Sequence, residues 1–221
     1  MDTLLHLLLL LVILLNFFLL GSSRLTSCIR TTAFQGGILS LLPLLAHGFS
    51  GHTLFLAGVA FLLKGIAIPY LLFRAIRQVH IRREVEPLIG YVPTLILGTL
   101  ATAGAFIFSG RLPLIPEHSQ SLFVPVGLAT LATGFLMLIS RRKAITQALG
   151  YLVFENGIYA LGIALAHEQP LLVELGVLLD LFVAVFVMGI IVFRIQQQFD
   201  HIDVDRIVAL HDVDASEGPQ S

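Results

Sequence analysis

Three ionisable side chains, Lys64, Glu155 and Asp180, fall near the middle of long apolar stretches, and Glu174 lies nearer the end of one. A charge in the core of a bilayer costs about 3 kcal/mol, so such residues face protein or water and mark functional sites. Glu155 has polar company at helical spacing: Gln147, Tyr151, Glu155 and Tyr159 recur every four residues and share one helix face. A buried carboxyl beside tyrosine hydroxyls can gain and lose a proton; the structural alternative is a neutral carboxyl hydrogen-bonded between helices. Asp180 has Gly176 and Ala184 four residues to either side, and small residues let a neighbouring helix approach closely. Its depth is expected to match that of Glu155 on the preceding antiparallel helix, where two carboxyls would share or pass a proton. A salt bridge from Asp180 to Lys64 is the alternative. Lys64 itself reads either as a proton-switching amine or as a fixed counter-charge, with Pro69 one turn further on as a kink site.

The other candidates carry less. Glu174 would stand at the outer mouth of a polar path. His47 and His167 sit at matching helix ends, and His6 is alone in its helix; none belongs to a group with metal-ligand spacing. The single cysteine, Cys28, excludes an intrachain disulfide and any multi-cysteine cluster. No phosphate loop, nucleophile motif or dinucleotide fingerprint is present. The chain is therefore expected not to be an enzyme on its own.

The elements that would hold these residues are membrane helices. Hydrophobic types make up 57% of the 221 residues and charged types 12%, with a mean hydropathy of +0.93. An ordinary soluble domain is about 25% charged, so most of this surface must meet lipid. Net charge is −1, which leaves no basis for nucleic-acid binding. A span needs about 20 apolar residues. Seven stretches qualify, at roughly 3–20, 31–49, 53–73, 88–108, 121–139, 145–166 and 171–193. The first has only Asp2 before it and an apolar run too long for a secretory leader, so it is expected to be a retained anchor. With the N-terminus outside, 11 of the 13 basic residues fall on the inside, which puts the acidic tail after Arg194 in the cytoplasm.

An offset of 120 residues aligns the chain with itself. Phe34-Gln35-Gly36-Gly37-Ile38 falls on Phe154-Glu155-Asn156-Gly157-Ile158, His47 on His167, and Phe73-Arg74 on Phe193-Arg194. The expected architecture is an all-α integral membrane protein. A three-helix unit at 1–75 and a second at 121–195 would be parallel repeats, joined by helix 4 within 76–120 and followed by a tail at 196–221. Gln35 holds the repeat position of Glu155; it can hydrogen-bond but cannot release a proton.

The residues also resemble a known family. Gly150-Tyr151-Leu152-Val153-Phe154-Glu155-Asn156-Gly157, Leu172-Val173-Glu174-Leu175-Gly176 with Asp180, and Phe61-Leu62-Leu63-Lys64 with Pro69 are similar to hydrogenase-4 component E, as is the tail Ile202-Asp203-Val204-Asp205. Residues from about 121 to 205 also resemble the small three-helix membrane subunit of respiratory complex I and of multisubunit cation/proton antiporters. In that subunit, glutamates in the second and third helices serve the proton pathway, which implies that role for Glu155 and Asp180; the chain has Asp rather than Glu at the second site. The resemblance implies a membrane-arm subunit of a nickel–iron hydrogenase complex in the bacterial or archaeal inner membrane, coupled to formate or carbon monoxide oxidation. The nickel–iron centre and iron–sulfur clusters would sit in partner subunits, beside antiporter-like membrane subunits, with no cofactor in this chain. The proton path would run through Lys64, Glu155, Asp180, Glu174, Tyr151, Tyr159 and Gln35. A self-sufficient or antiporter-type cation/proton transporter, and a scaffold that only packs between active neighbours, are the other readings.

Overall fold

A computed structural model of the protein describes residues 2–47, 50–78, 88–112, 122–165 and 189. The described residues form helices and no strands. In chain order these are α1 (Asp2–Gly21), α2 (Leu25–His47), α3 (Gly51–Phe61), a π-helical turn (Leu62–Ala67), α4 (Ile68–Gln78), α5 (Tyr91–Ser109), α6 (Phe123–Ser140) and α7 (Ala144–Leu165). Segments α3 to α4 run as one interrupted helix. Five spans among the described residues are long and apolar enough to cross a membrane: Thr3–Gly21, Leu25–Leu45, Thr53–Arg74, Tyr91–Ser109 and Phe123–Ser140. The 22-residue α7 is a further long helix. The expected seventh span and the cytoplasmic tail lie outside the described residues.

Caps and hydroxyls are closed onto helix backbone, as a bilayer favours. Ser50 caps α3, its hydroxyl accepting from the Thr53 N–H at 3.1 Å. The Gly110 N–H closes α5 on the Phe106 carbonyl at 3.2 Å. Hydroxyls that face apolar surroundings fold back onto their own helix: Thr94, Thr99 and Thr102 donate to carbonyls four residues earlier at 2.8–2.9 Å.

The most extensive helix pair is α6 with α7, and four glycines explain how close it is. A Cβ on Gly134 would lie 2.1 Å from the Phe154 nitrogen, and one on Gly157 would lie 2.3 Å from the Leu131 nitrogen. Gly127 and Gly150 meet the partner helix at 2.8 Å in the same sense. The four occur as two pairs seven residues apart, so each helix offers a repeated notch to the other's backbone. Helices α1 and α2 pack against this pair, and α5 lies outside α1 and α6.

The buried interior is layered. One apolar cluster gathers Leu19, Leu20, Leu25, Ile29, Ile68, Leu72, Met137, Leu149 and Val153. A second gathers Leu9, Val12, Leu39, Leu42, Phe123, Val126, Tyr159 and Ile163. Along each of α1, α2, α6 and α7, the residues between the two clusters include a buried polar one: Asn16, Gln35, Thr130, and Glu155 with Asn156.

The first cluster lies toward the arginine-rich end of the bundle, where the structure departs from expectation. Arg141 falls in the run Arg141-Arg142-Lys143 between the apolar stretches at 121–139 and 145–166, a polar connection by sequence, yet it is only 1% exposed. Its Nη2 donates to the Leu20 carbonyl at 3.0 Å, and its guanidinium stacks 5.3 Å from the centre of the Tyr91 ring. Gln147 Nε2 donates to the Arg141 carbonyl at 3.1 Å. One side chain and its backbone thus tie together α1, α5, α6 and α7.

The glycine notches predict a contrast. Gly157→Val should lower stability by about 1–3 kcal/mol, since the backbone and Cβ of Leu131 stand in its way and cannot swing aside. Gly162→Ala, where no atom lies within 4 Å of the added carbon, should leave the melting temperature unchanged or higher. Thermal melting of the two detergent-solubilised variants checks this.

Candidate functional site

The polar layer is centred on Lys64. Its Nζ stands 2.9 Å from Glu155 Oε1, with the two side chains 4% and 2% exposed. The same nitrogen donates to Asn156 Oδ1 at 3.3 Å and lies 4.8 Å from the centre of the Tyr159 ring. An ammonium is thus held by a carboxylate, an amide oxygen and an aromatic face, which together replace its water.

Local backbone geometry makes this possible. Lys64 sits inside the π turn, where a carbonyl is served from five residues on, as the Leu63 carbonyl is by the Ile68 N–H. Such turns recur at functional sites because the wider ring re-aims side chains. Pro69, which has no N–H, follows immediately. On the facing helix Gly36 clears the way: a Cβ there would come within 2.8 Å of Lys64 Cβ.

From Asn156 a single chain of hydrogen bonds crosses the bundle. Asn156 Nδ2 donates to Gln35 Oε1 at 3.4 Å, Gln35 Nε2 to Asn16 Oδ1 at 2.8 Å, and Asn16 Nδ2 to Thr130 Oγ1 at 2.9 Å. Thr130 then donates to the Val126 carbonyl at 2.8 Å. Every link donates away from Lys64, so each amide turns its oxygen toward the ammonium. The chain is polarised by the cation and stabilises it in return. An amide does not exchange protons as an acid or base does, so this chain positions Lys64 rather than carrying protons away from it.

The two oxygens of Glu155 differ. Oε1 faces the lysine, while Oε2 is buried without a hydrogen-bond partner among the described residues. A buried carboxylate oxygen is costly to leave unmatched.

Of the residues expected in the site, Lys64, Glu155, Tyr159 and Gln35 come together. Tyr151 is one turn before Glu155 on α7, half-buried, and packs against the first apolar cluster without hydrogen-bonding the carboxyl. Asp180 and Glu174 lie outside the described residues. Asn16, Thr130 and Asn156 belong to the site but were not expected. The signal for Asn16 was available, since it interrupts an otherwise unbroken apolar run from Leu7 to Leu20. No group of three or more His, Cys, Asp or Glu residues lies together among the described residues.

An all-helical, membrane-type bundle wrapped around a buried lysine–glutamate pair is the class defined by fold and site. The chain belongs to the family of the uncharacterized protein Rv0085 of Mycobacterium tuberculosis, with which it is 31% identical over 192 residues, 85% of this chain and 87% of that protein. It is also similar to hydrogenase-4 component E of Escherichia coli K12 and of Shigella flexneri, at 28% identity over 176 residues, 78% of this chain and 81% of each relative. These homologues support the family resemblance read from the glutamate- and lysine-bearing helices. No protein-family model matches the chain, and no solved structure matches it significantly.

Removing one partner of a buried pair strands the other. Lys64→Met should therefore destabilise the protein by about 3–5 kcal/mol. Adding Glu155→Gln to it should recover more than half of that loss. A double-mutant cycle on denaturant or thermal melting measures the coupling.

Proposed function

We propose that the protein is a membrane-arm subunit of a complex I-like nickel–iron hydrogenase of the formate hydrogenlyase type, and that it contributes to proton translocation coupled to electron transfer. The observation that carries this reading is the Lys64–Glu155 pair, two titratable groups in direct contact between two apolar layers. A proton moves between Nζ and Oε1 along one 2.9 Å contact, so the pair exists either as ammonium and carboxylate or as amine and carboxylic acid. Which form holds is a property of the pair and of the charges near it. A proton received by Lys64 can pass to Glu155 and leave from Oε2, and we assign the next position to Asp180, with Glu174 further along. The name carried by the Escherichia coli relatives supports the hydrogenase setting.

On this reading the chain is not catalytic by itself. The nickel–iron centre and iron–sulfur clusters belong to partner subunits, antiporter-like membrane subunits are neighbours, and the complex resides in the cytoplasmic (inner) membrane. The alternative is a stand-alone or antiporter-type cation/proton transporter subunit. It is favoured by one observation: α6 and α7 repeat the bounds of α1 and α2 to within two residues at the 120-residue offset, as expected of a transporter built from parallel repeats.

Two measurements test the proposal. A mild-detergent pull-down of the tagged chain should recover nickel–iron hydrogenase subunits with hydrogen-evolving activity; the chain alone would move the transporter reading to first place. Glu155→Gln keeps an amide oxygen to accept from Lys64 Nζ, so it should leave the complex assembled and evolving hydrogen, but slow proton movement in membrane vesicles by about a hundredfold or more. Normal coupling would sink the role of Glu155.

A further inference from the structure

Lys64 is approached differently from its two sides. Toward one end of the bundle it is covered by the ring of Tyr159, one turn beyond Glu155 on α7. Toward the arginine-rich end there is a cavity of about 10 Å³, lined by Thr32, Lys64, Pro69, Leu72, Leu152 and Asn156 among others. That is the lower limit of the volume that holds one water molecule. Thr32 is 6% exposed, and its hydroxyl is buried with no hydrogen-bond partner. Pro69 has no N–H, so a carbonyl in the turn before it is short of a donor. An apolar hole of this size would stay empty, whereas a hole with an unpartnered hydroxyl, an amide and an amine in its wall holds water.

We propose that this cavity is an internal water site joining Thr32 to Lys64, and that it forms the proton-access side of the lysine. The inference rests on the proton-handling role of the Lys64–Glu155 pair and adds a direction to it. The amide chain through Asn156, Gln35 and Asn16 does not carry protons, and the Tyr159 ring covers the opposite side. A water in this cavity, beside Nζ and the Thr32 hydroxyl, can exchange protons with the lysine. Once Glu155 has released its proton from Oε2, the pair is amine and carboxylate; a hydronium at this site then gives its proton to the Lys64 amine and becomes water, and Nζ gives a proton to the Glu155 carboxylate, which becomes the acid. No electron moves, and the lysine ends as the amine it began as.

The test uses the assembled complex in native membranes and after purification. Density for an ordered water within about 3 Å of Thr32 Oγ1 is expected in a high-resolution map of the unaltered complex and not in Thr32→Val, which keeps the shape and removes the hydroxyl. Proton movement per turnover should fall about three- to tenfold in Thr32→Val, the factor equivalent to one lost hydrogen bond. Thr32→Ser should restore both. Ala33→Val fills the cavity while leaving the hydroxyl, should have the same effect, and covers the case in which Thr32→Val does not fold. An empty cavity in the unaltered complex overturns the water site. Water present with Thr32→Val and Ala33→Val coupling normally overturns its role in access. If Glu155→Gln alone couples normally, the proton reading itself fails, and the density and its loss in Thr32→Val then decide whether the water site stands.

Discussion

The Lys64–Glu155 pair is the constraint on which the arrangement depends. Two charges placed between apolar layers are stable only if the groups around them are fixed, because bulk water is not there to compensate. The amide chain supplies that fixity. It crosses from α7 to α2, α1 and α6, and its uniform direction follows from having a cation at one end and a backbone carbonyl at the other. Helices whose outer faces are largely apolar are held in register by a line of neutral dipoles.

Close approach is the second requirement. The glycines of α6 and α7 bring two backbones together so that Glu155 and Asn156 project from a rigid pair rather than from a single helix. Gly36 does the same on the opposite wall by letting α2 lie against the stem of Lys64. Arg141 anchors the arginine-rich end, pinning α1 and α5 through a carbonyl and a ring. The site is thus framed by small residues where helices must touch and by one large buried cation where they must end.

The helices were legible in the sequence because an apolar stretch interrupted by turn residues has few other solutions. Observed bounds differ by a few residues, most at α2, which begins at Leu25 because Arg30 stays exposed on its flank while Cys28 and Ile29 turn inward. Lys64 and Glu155 were legible because charge is expensive in such surroundings. Their contact was not, since the order in which helices pack leaves little trace in one sequence. Asn156 and Thr130 escaped notice because polar or small neighbours stand beside them, Glu155 and Gly157 for one and Ala129 for the other, where Asn16 stands alone among leucines and phenylalanines. The burial of Arg141 was equally hidden: it stands beside Arg142 and Lys143, and nothing local separates the anchor from its two neighbours.

The π turn has a consequence for any reading of this helix as a pattern. A residue added to one turn advances the phase by about 100°, so positions before Leu62 and after Ala67 do not belong to one helical wheel. On one wheel the buried Ala57 and Ala60 and the buried Leu72 and Ile76 fall on different meridians, yet all four are inside. The extra residue in the turn takes up that difference, so the rod keeps its packing surface toward the bundle on both sides of the lysine. The lysine sits at the seam, where the pattern shifts and the buried side does not.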